Sequence, residues 1–154
     1  MKALKLVEIL KDKHLTIGAV ESMTGGLFAS AITDIAGASE VFKGGIVAYS
    51  SEAKKTLVDV RPETLDEFGA ISWEVASEMA YNGRIKLDVD YCLAVTGNAG
   101  PTADSGNQEI GCVFIAVASR DSIWGVPLHL EGSRDEIRRA SVNAMLTTLE
   151  GILK

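Results

Sequence analysis

The stretch AVESMTGGLFASAI, residues 19–32, puts a bare hydroxyl on a glycine-hinged corner. An apolar run closes on Glu21-Ser22-Met23-Thr24-Gly25-Gly26, and a second apolar run begins at once. The first amides of a helix lack intrahelical partners and lie at its positive end. Glycine lets a ligand come close to the backbone. Thr24–Leu27 are therefore expected to offer N–H groups to an anion, either a phosphate or the oxyanion of a tetrahedral intermediate. Three readings of Ser22 stand side by side: a cap or structural turn, a phosphate ligand, and a nucleophile. Thr24 is the expected cap. Walker-type spacing is absent, since no lysine follows the glycines.

A nucleophilic serine needs a proton acceptor. His14 lies before the first predicted strand, at its far end, and His129 lies late in the last one. Neither suits a Ser–His–Asp triad. A lysine serves if its pKa falls from about 10.4 toward neutrality. Lys54 follows the run IVAYS and falls in the first turn of the next predicted helix, where the helix dipole disfavours a cation. That bias is worth only about 0.3–1 kcal/mol, so burial must supply the rest. The competing reading is a solvated lysine like its neighbour Lys55. Tyr49 ends the same run and can point into the same crevice, as a relay, a positioner of the lysine, or a plain rim aromatic.

A second small-residue turn, Thr96-Gly97-Asn98-Ala99-Gly100-Pro101, follows the run YCLAV. Ligands of α/β sheets collect at the carboxyl ends of parallel strands. The ends after Val20, Ala48 and Val95 are expected to share one crevice. Thr96 and Gly97 would give it a hydroxyl and an amide, or form an ordinary turn. Arg134 is suited to clamp a phosphate bidentately. Arg138 lies one turn further on. Either can instead pair with Glu131 or Asp135 at the surface.

These residues need positioning elements, and the pattern supplies them. Residues 3–12 carry apolar positions at helical spacing. Thr16–Val20 reads as a buried strand, and a helix opens at Thr24 or Gly25 and runs to about Thr33. Ile46–Ser50 is a second strand, with Ser51 capping a helix through about Val58. Pro62 begins a short helix ended by Gly69. Ser72 caps a helix over 73–87. Tyr91–Thr96 is a third strand. Strands 111–118 and 122–130 are joined too tightly for a parallel crossover and should form a hairpin. Ser133 and Glu136 make a capping box before a last helix with a stripe of Ile137, Ala140, Ala144, Met145, Leu149 and Ile152. The pattern predicts an α/β fold: a three-layer α/β/α sandwich with a mixed, mainly parallel sheet of about five to six strands.

Bulk composition narrows the function classes. The chain has 154 residues, which suits one domain, and 47% of them are apolar, enough to bury a core. A net charge of −6 argues against nucleic acid as partner. The charged, helically spaced start MKALKLVEILKDKH lacks a cleavage site, and no apolar run reaches membrane length, so a cytoplasmic protein without a membrane partner is expected. Cys92 and Cys112 sit in apolar runs and are expected to be reduced structural thiols. With no C-x-x-C and two histidines, no metal site and no cofactor are expected.

ESMTGG at 21–26, AYSSEAK at 48–54 and TGNAGP at 96–101 together resemble the CinA C-terminal domain family, which includes stand-alone nicotinamide-nucleotide amidases. ITDIAGASEVFKGGIVAYS and SRDEIRR are similar too, so the likeness runs from about residue 3 to 153. It implies one amidohydrolase domain over 1–154 and an α/β/α fold. The implied activity is hydrolysis of the carboxamide of nicotinamide mononucleotide to nicotinic acid mononucleotide and ammonia, in pyridine-nucleotide salvage. It implies Ser22 as nucleophile, Lys54 as base and Tyr49 beside them. Thr24, Gly25, Gly26, Thr96, Gly97 and Arg134 would bind substrate. The implied partners are a small nucleotide and further copies of the chain, as a homo-oligomer. The chain departs from the pattern at Ser51, where asparagine is usual, and at Asn98, where an apolar residue is usual. It departs again across 102–109, without the usual paired glycines and Lys-Pro-Val. The departures bear on substrate choice, and they motivate the alternative of a non-catalytic mononucleotide-binding or regulatory module.

Overall fold

The structure is a computed structural model and describes residues 1–102 and 109–154. At its centre lies β1 (Ile17–Glu21), paired in parallel with β2 (Phe42–Val47) on one side and β3 (Tyr91–Gly97) on the other. Next to β3 comes the antiparallel β4 (Cys112–Ala118), followed by the antiparallel β5 (Ile123–His129). The order is β2-β1-β3-β4-β5. Because β4 alone opposes the rest, four of the five strands run the same way.

Helices cover both faces. On one face α1 (Lys2–Lys13), α2 (Leu27–Thr33) and α6 (Arg134–Leu153) bury Leu6, Leu10, Phe28, Ile32, Ile137, Met145 and Leu149 against Ile17, Ala19, Leu93, Val95 and Ile115. On the other, α3 (Ser51–Val58) and α5 (Trp73–Leu87) bring Val58, Val75, Ala76 and Met79 onto Val20, Cys92, Ala94 and Ala116, with α4 (Pro62–Phe68) packed on α5. Strand side chains alternate between the faces with period two. Both faces being buried, the strands read as unbroken apolar runs. A fully buried side chain such as Phe28 contributes about 1.5–3 kcal/mol.

The predicted elements recur with local corrections. β2 starts at Phe42 rather than Ile46, because Phe42, Gly44 and Gly45 pair with Ile17, Gly18 and Ala19 of β1. Beyond Val47 the chain leaves the sheet, with Ala48 N–H still donating to Glu21 O at 2.8 Å. Ser50, rather than Ser51, caps α3, its Oγ accepting Ala53 N–H at 3.0 Å. α2 begins at Leu27 and has no side-chain cap of its own, so Thr24 is not its cap. The α6 stripe turns toward Ser141, Val142, Leu146 and Leu153, leaving Ala140, Ala144 and Ile152 half-buried. The α5 boundaries, the Ser133–Glu136 capping box and the β4–β5 hairpin stand as read. Residues 103–108 of the altered loop lie outside the described residues.

Candidate active site

The carboxyl ends of β1, β2 and β3 open into one cleft of about 230 Å³. That volume admits part of a small molecule rather than a polymer strand. The three ends contribute Ser22 and Met23, then Tyr49, Ser51 and Lys54, then Thr96–Ala99. Arg134, the first residue of α6, adds a second cation. Among the described residues none of those lining the cleft is a carboxylate, which suits it to an anionic group.

Ser22 follows the central strand directly, and its N–H donates to Val95 O at 3.1 Å. That bond fixes the residue between the ends of β1 and β3. Lys54 sits in the first turn of α3 and shares its buried face with Val58, four residues on. An apolar stripe thus carries a lysine inward. Its side chain is 2% exposed, and Nζ donates to Ser22 Oγ at 2.8 Å and to Ala48 O at 3.1 Å. No carboxylate pairs with it among the described residues. Burial pulls its pKa down from 10.5 to about 8. Once neutral, the same nitrogen accepts the Ser22 O–H along the same line.

The histidines stay outside. His14 ends α1, across the length of β1 from Ser22. His129 ends β5 and lies 3.7 Å from Glu109. Neither cysteine is among the residues lining the cleft. Cys92 is buried, which pushes its pKa up to about 12, and Cys112 is half-buried.

Tyr49 stands at the rim, 59% exposed, its hydroxyl accepting a bond from Arg134 Nη2 at 3.0 Å rather than meeting Lys54. Arg134 Nη1 donates to Gly100 O at 2.7 Å, so its guanidinium bridges the β2 and β3 ends across the cleft mouth. Thr96 lines the cleft, but its hydroxyl donates to Ala70 O at 2.8 Å and holds the segment after α4 against the site. Gly97 is a packing requirement as well as a lining residue. A Cβ there would fall 2.7 Å from Val113 Cγ2 and 2.9 Å from Cys112 O.

The Thr24–Gly26 turn departs most from expectation. Its helix end is already filled by an anion, the carboxylate of Glu21. Glu21 Oε1 accepts Thr24 Oγ1–H at 2.7 Å, Gly26 N–H at 3.2 Å and Phe28 N–H at 2.9 Å, and Oε2 accepts Ala29 N–H at 3.0 Å. Gly25 N–H returns to Ser22 O at 3.0 Å, and Leu27 N–H to Thr24 O at 3.0 Å. None of Thr24, Gly25 and Gly26 lines the cleft. Their task is the turn itself: Gly25 and Gly26 have φ of 58° and 107°, conformations that suit glycine. Glu21 is 1% exposed. Sheet parity would have found it, because residues 17, 19 and 21 of one strand share the face that α2 covers. Arg138, for which the sequence leaves a surface pair with Glu131 or Asp135 as one alternative, turns inward instead. Its Nε donates to Met23 O at 2.9 Å and its Nη2 to Thr24 O at 3.1 Å.

Fold and site together define a three-layer α/β/α protein with a buried serine–lysine pair at the carboxyl edge of its parallel strands. The chain belongs to the CinA C-terminal domain family, whose pattern matches residues 2–153. It is 45% identical over 154 residues to the Protein MG115 homolog of Mycoplasma pneumoniae, covering 99% of this chain and 98% of that one. It is 38% identical over 156 residues to a CinA-like protein of Prochlorococcus marinus (strain MIT 9515), covering 99% of this chain and 36% of the relative. The Thermoanaerobacter relatives, 42% identical over 137 residues, are likewise matched over 33% of their length, so this chain spans about a third of such proteins. The crystal structure of the competence/damage inducible protein CihA from Agrobacterium tumefaciens superposes with a TM-score of 0.95 at 34% identity, covering 99% of this chain and 94% of that one. Among the described residues no helix is long and apolar enough to cross a membrane.

Proposed function

We propose that the protein is a serine–lysine amidohydrolase that converts nicotinamide mononucleotide to nicotinic acid mononucleotide and ammonia. The observation that carries the proposal is the 2.8 Å contact between Lys54 Nζ and Ser22 Oγ inside a cleft whose described lining residues include two cations and no carboxylate. Neutral Lys54 takes the hydroxyl proton as Ser22 Oγ adds to the carboxamide carbon. The oxyanion meets the N–H of Met23, which lines the cleft beside Ser22 and has no acceptor among the described residues. Collapse breaks the C–N bond, and Lys54 returns the proton to the leaving ammonia. Water then attacks the acyl ester with Lys54 again as base. The second collapse frees the carboxylate and restores the Ser22 hydroxyl. Arg134 is placed to bind the nucleotide phosphate, exchanging its bonds to Tyr49 and Gly100 O for charge-assisted ones. The test measures ammonia release from nicotinamide mononucleotide. The wild type should turn over, and Ser22→Ala should be inactive while still binding the nucleotide. Tight binding without ammonia by the wild type between about pH 6 and 9 would replace the proposal with a mononucleotide-binding module.

A further inference from the structure

Two charged side chains outside the cleft shape the turn that carries the nucleophile, and between them they leave a particular pair of amides unused. Across 22–29 the amides of Ser22, Gly25, Gly26, Leu27, Phe28 and Ala29 all donate within the protein. Met23 and Thr24 N–H have no acceptor among the described residues. Both residues are buried, at 5% and 0% exposure. A buried amide without a partner costs about 1–3 kcal/mol, so such an amide beside a nucleophile suits an incoming acceptor. In a trans peptide the C=O and N–H point to opposite sides. Arg138 grips Met23 O and Thr24 O at once, from α6. The Thr24 N–H, opposite Met23 O in one peptide plane, is thereby turned away from α6.

We infer that Arg138 is a positioning residue for the oxyanion hole, holding the Met23 and Thr24 carbonyls so that the unpartnered N–H of Met23, the residue of this turn that lines the cleft beside Ser22, receives the oxyanion formed there. The inference rests on the serine–lysine hydrolase reading. Glu21 contributes by removing α2's remaining amides from competition. Arg138 acts on the turnover step and not on ground-state affinity, because the donor is needed once the carbonyl oxygen gains charge.

The test compares wild type, Arg138→Ala and Arg138→Lys. In Arg138→Ala, kcat for nicotinamide mononucleotide should fall about 10²–10³-fold with KM little changed. Millimolar ethylguanidinium should restore part of the rate. Arg138→Lys should stay impaired, since one ammonium cannot hold two carbonyls in a fixed plane. A purely structural role would lower the melting temperature without a split between kcat and KM and without rescue. A second readout needs no turnover. Ser22 Oγ adds to boron of pyridine-3-boronic acid while Lys54 takes the proton, giving a tetrahedral boronate followed by boron NMR. Arg138→Ala should weaken this adduct by the same factor. A wild type that forms the adduct but releases no ammonia removes the substrate reading while leaving Arg138 testable through the adduct. Undiminished kcat or undiminished boronate affinity in folded Arg138→Ala overturns the inference. A wild type that neither hydrolyses nor forms the adduct removes the nucleophile, and the inference with it.

Discussion

Lys54 and Ser22 are 32 positions apart in the chain, yet Lys54 Nζ lies 2.8 Å from Ser22 Oγ, both groups buried. The contact joins the end of the central strand to the first turn of α3. It brings together a weak nucleophile and an amine whose affinity for a proton is reduced by the same burial that holds it in place. On the proposed mechanism, Lys54 should support activity at a cost to stability.

The rate should follow the neutral fraction of Lys54. With a pKa near 8, lowered by burial, kcat/KM should climb about tenfold per pH unit below that value and level off above it. Arginine at position 54 keeps the charge and does not deprotonate, so Lys54→Arg should be inactive throughout. A rate profile of the wild type that is flat from about pH 6 to 9 would exclude Lys54 as the base.

Stability gives the complementary readout. The unfolded lysine keeps its proton to 10.5, whereas the folded one loses it at about 8. Between those values the unfolded state binds more protons, so the wild type gains stability as pH rises through the window. Below it, the folded state bears the cost of a buried ammonium. Lys54→Met should then be more stable than wild type by about 1–2 kcal/mol at pH 7, after allowing for the acceptor left open at Ala48 O. The advantage should shrink toward about pH 10, which melting curves at two pH values would reveal.

Glu21→Gln tests the carboxylate beneath α2. The amide nitrogen of glutamine has no lone pair to offer Ala29 N–H or the donors on the other oxygen. The loss should be about 1–3 kcal/mol in denaturant unfolding. An unchanged midpoint would mean that water serves the helix end equally well.

Arg134→Met should raise KM for the nucleotide about 10–100-fold, the worth of one charge-assisted contact to phosphate, with a smaller effect on kcat. The corresponding riboside, lacking phosphate, should not distinguish the variant from wild type. Tyr49→Phe should show a weaker version of the same pattern, since the tyrosine hydroxyl meets Arg134. A large fall in kcat for Tyr49→Phe, with KM unchanged, would instead mark the tyrosine as a proton relay.

Local signals in the sequence carried the fold well. Ser72 opens α5 and Asp88 closes it, Gly69 ends α4, and the Ser133–Glu136 box opens α6, each through chemistry within a few residues. The strand expected at Ile46–Ser50 lies at Phe42–Val47, because Gly44 and Gly45 pair with Gly18 and Ala19 of β1. The cleft was legible because three apolar runs end in small or hydroxyl residues. What stayed hidden was how donors and acceptors are spent. Glu21 reads as the first polar residue of a corner, and its reach to Ala29 is set by the turn's three-dimensional path. Arg138 reads as one of several charges on a solvated helix, whereas its partners lie 114 and 115 residues earlier.

The carboxylate under α2 has one more effect. Because the Glu21 side chain already accepts bonds from that helix end, the turn after Ser22 does not wait for a visiting molecule to take shape. On the proposed mechanism, the turn beside Ser22 is then held in shape before substrate arrives, and little conformational freedom should be surrendered on docking. Inorganic sulfate or phosphate in a buffer finds no vacancy there, and competitive inhibition by such ions should be confined to the arginine at the mouth.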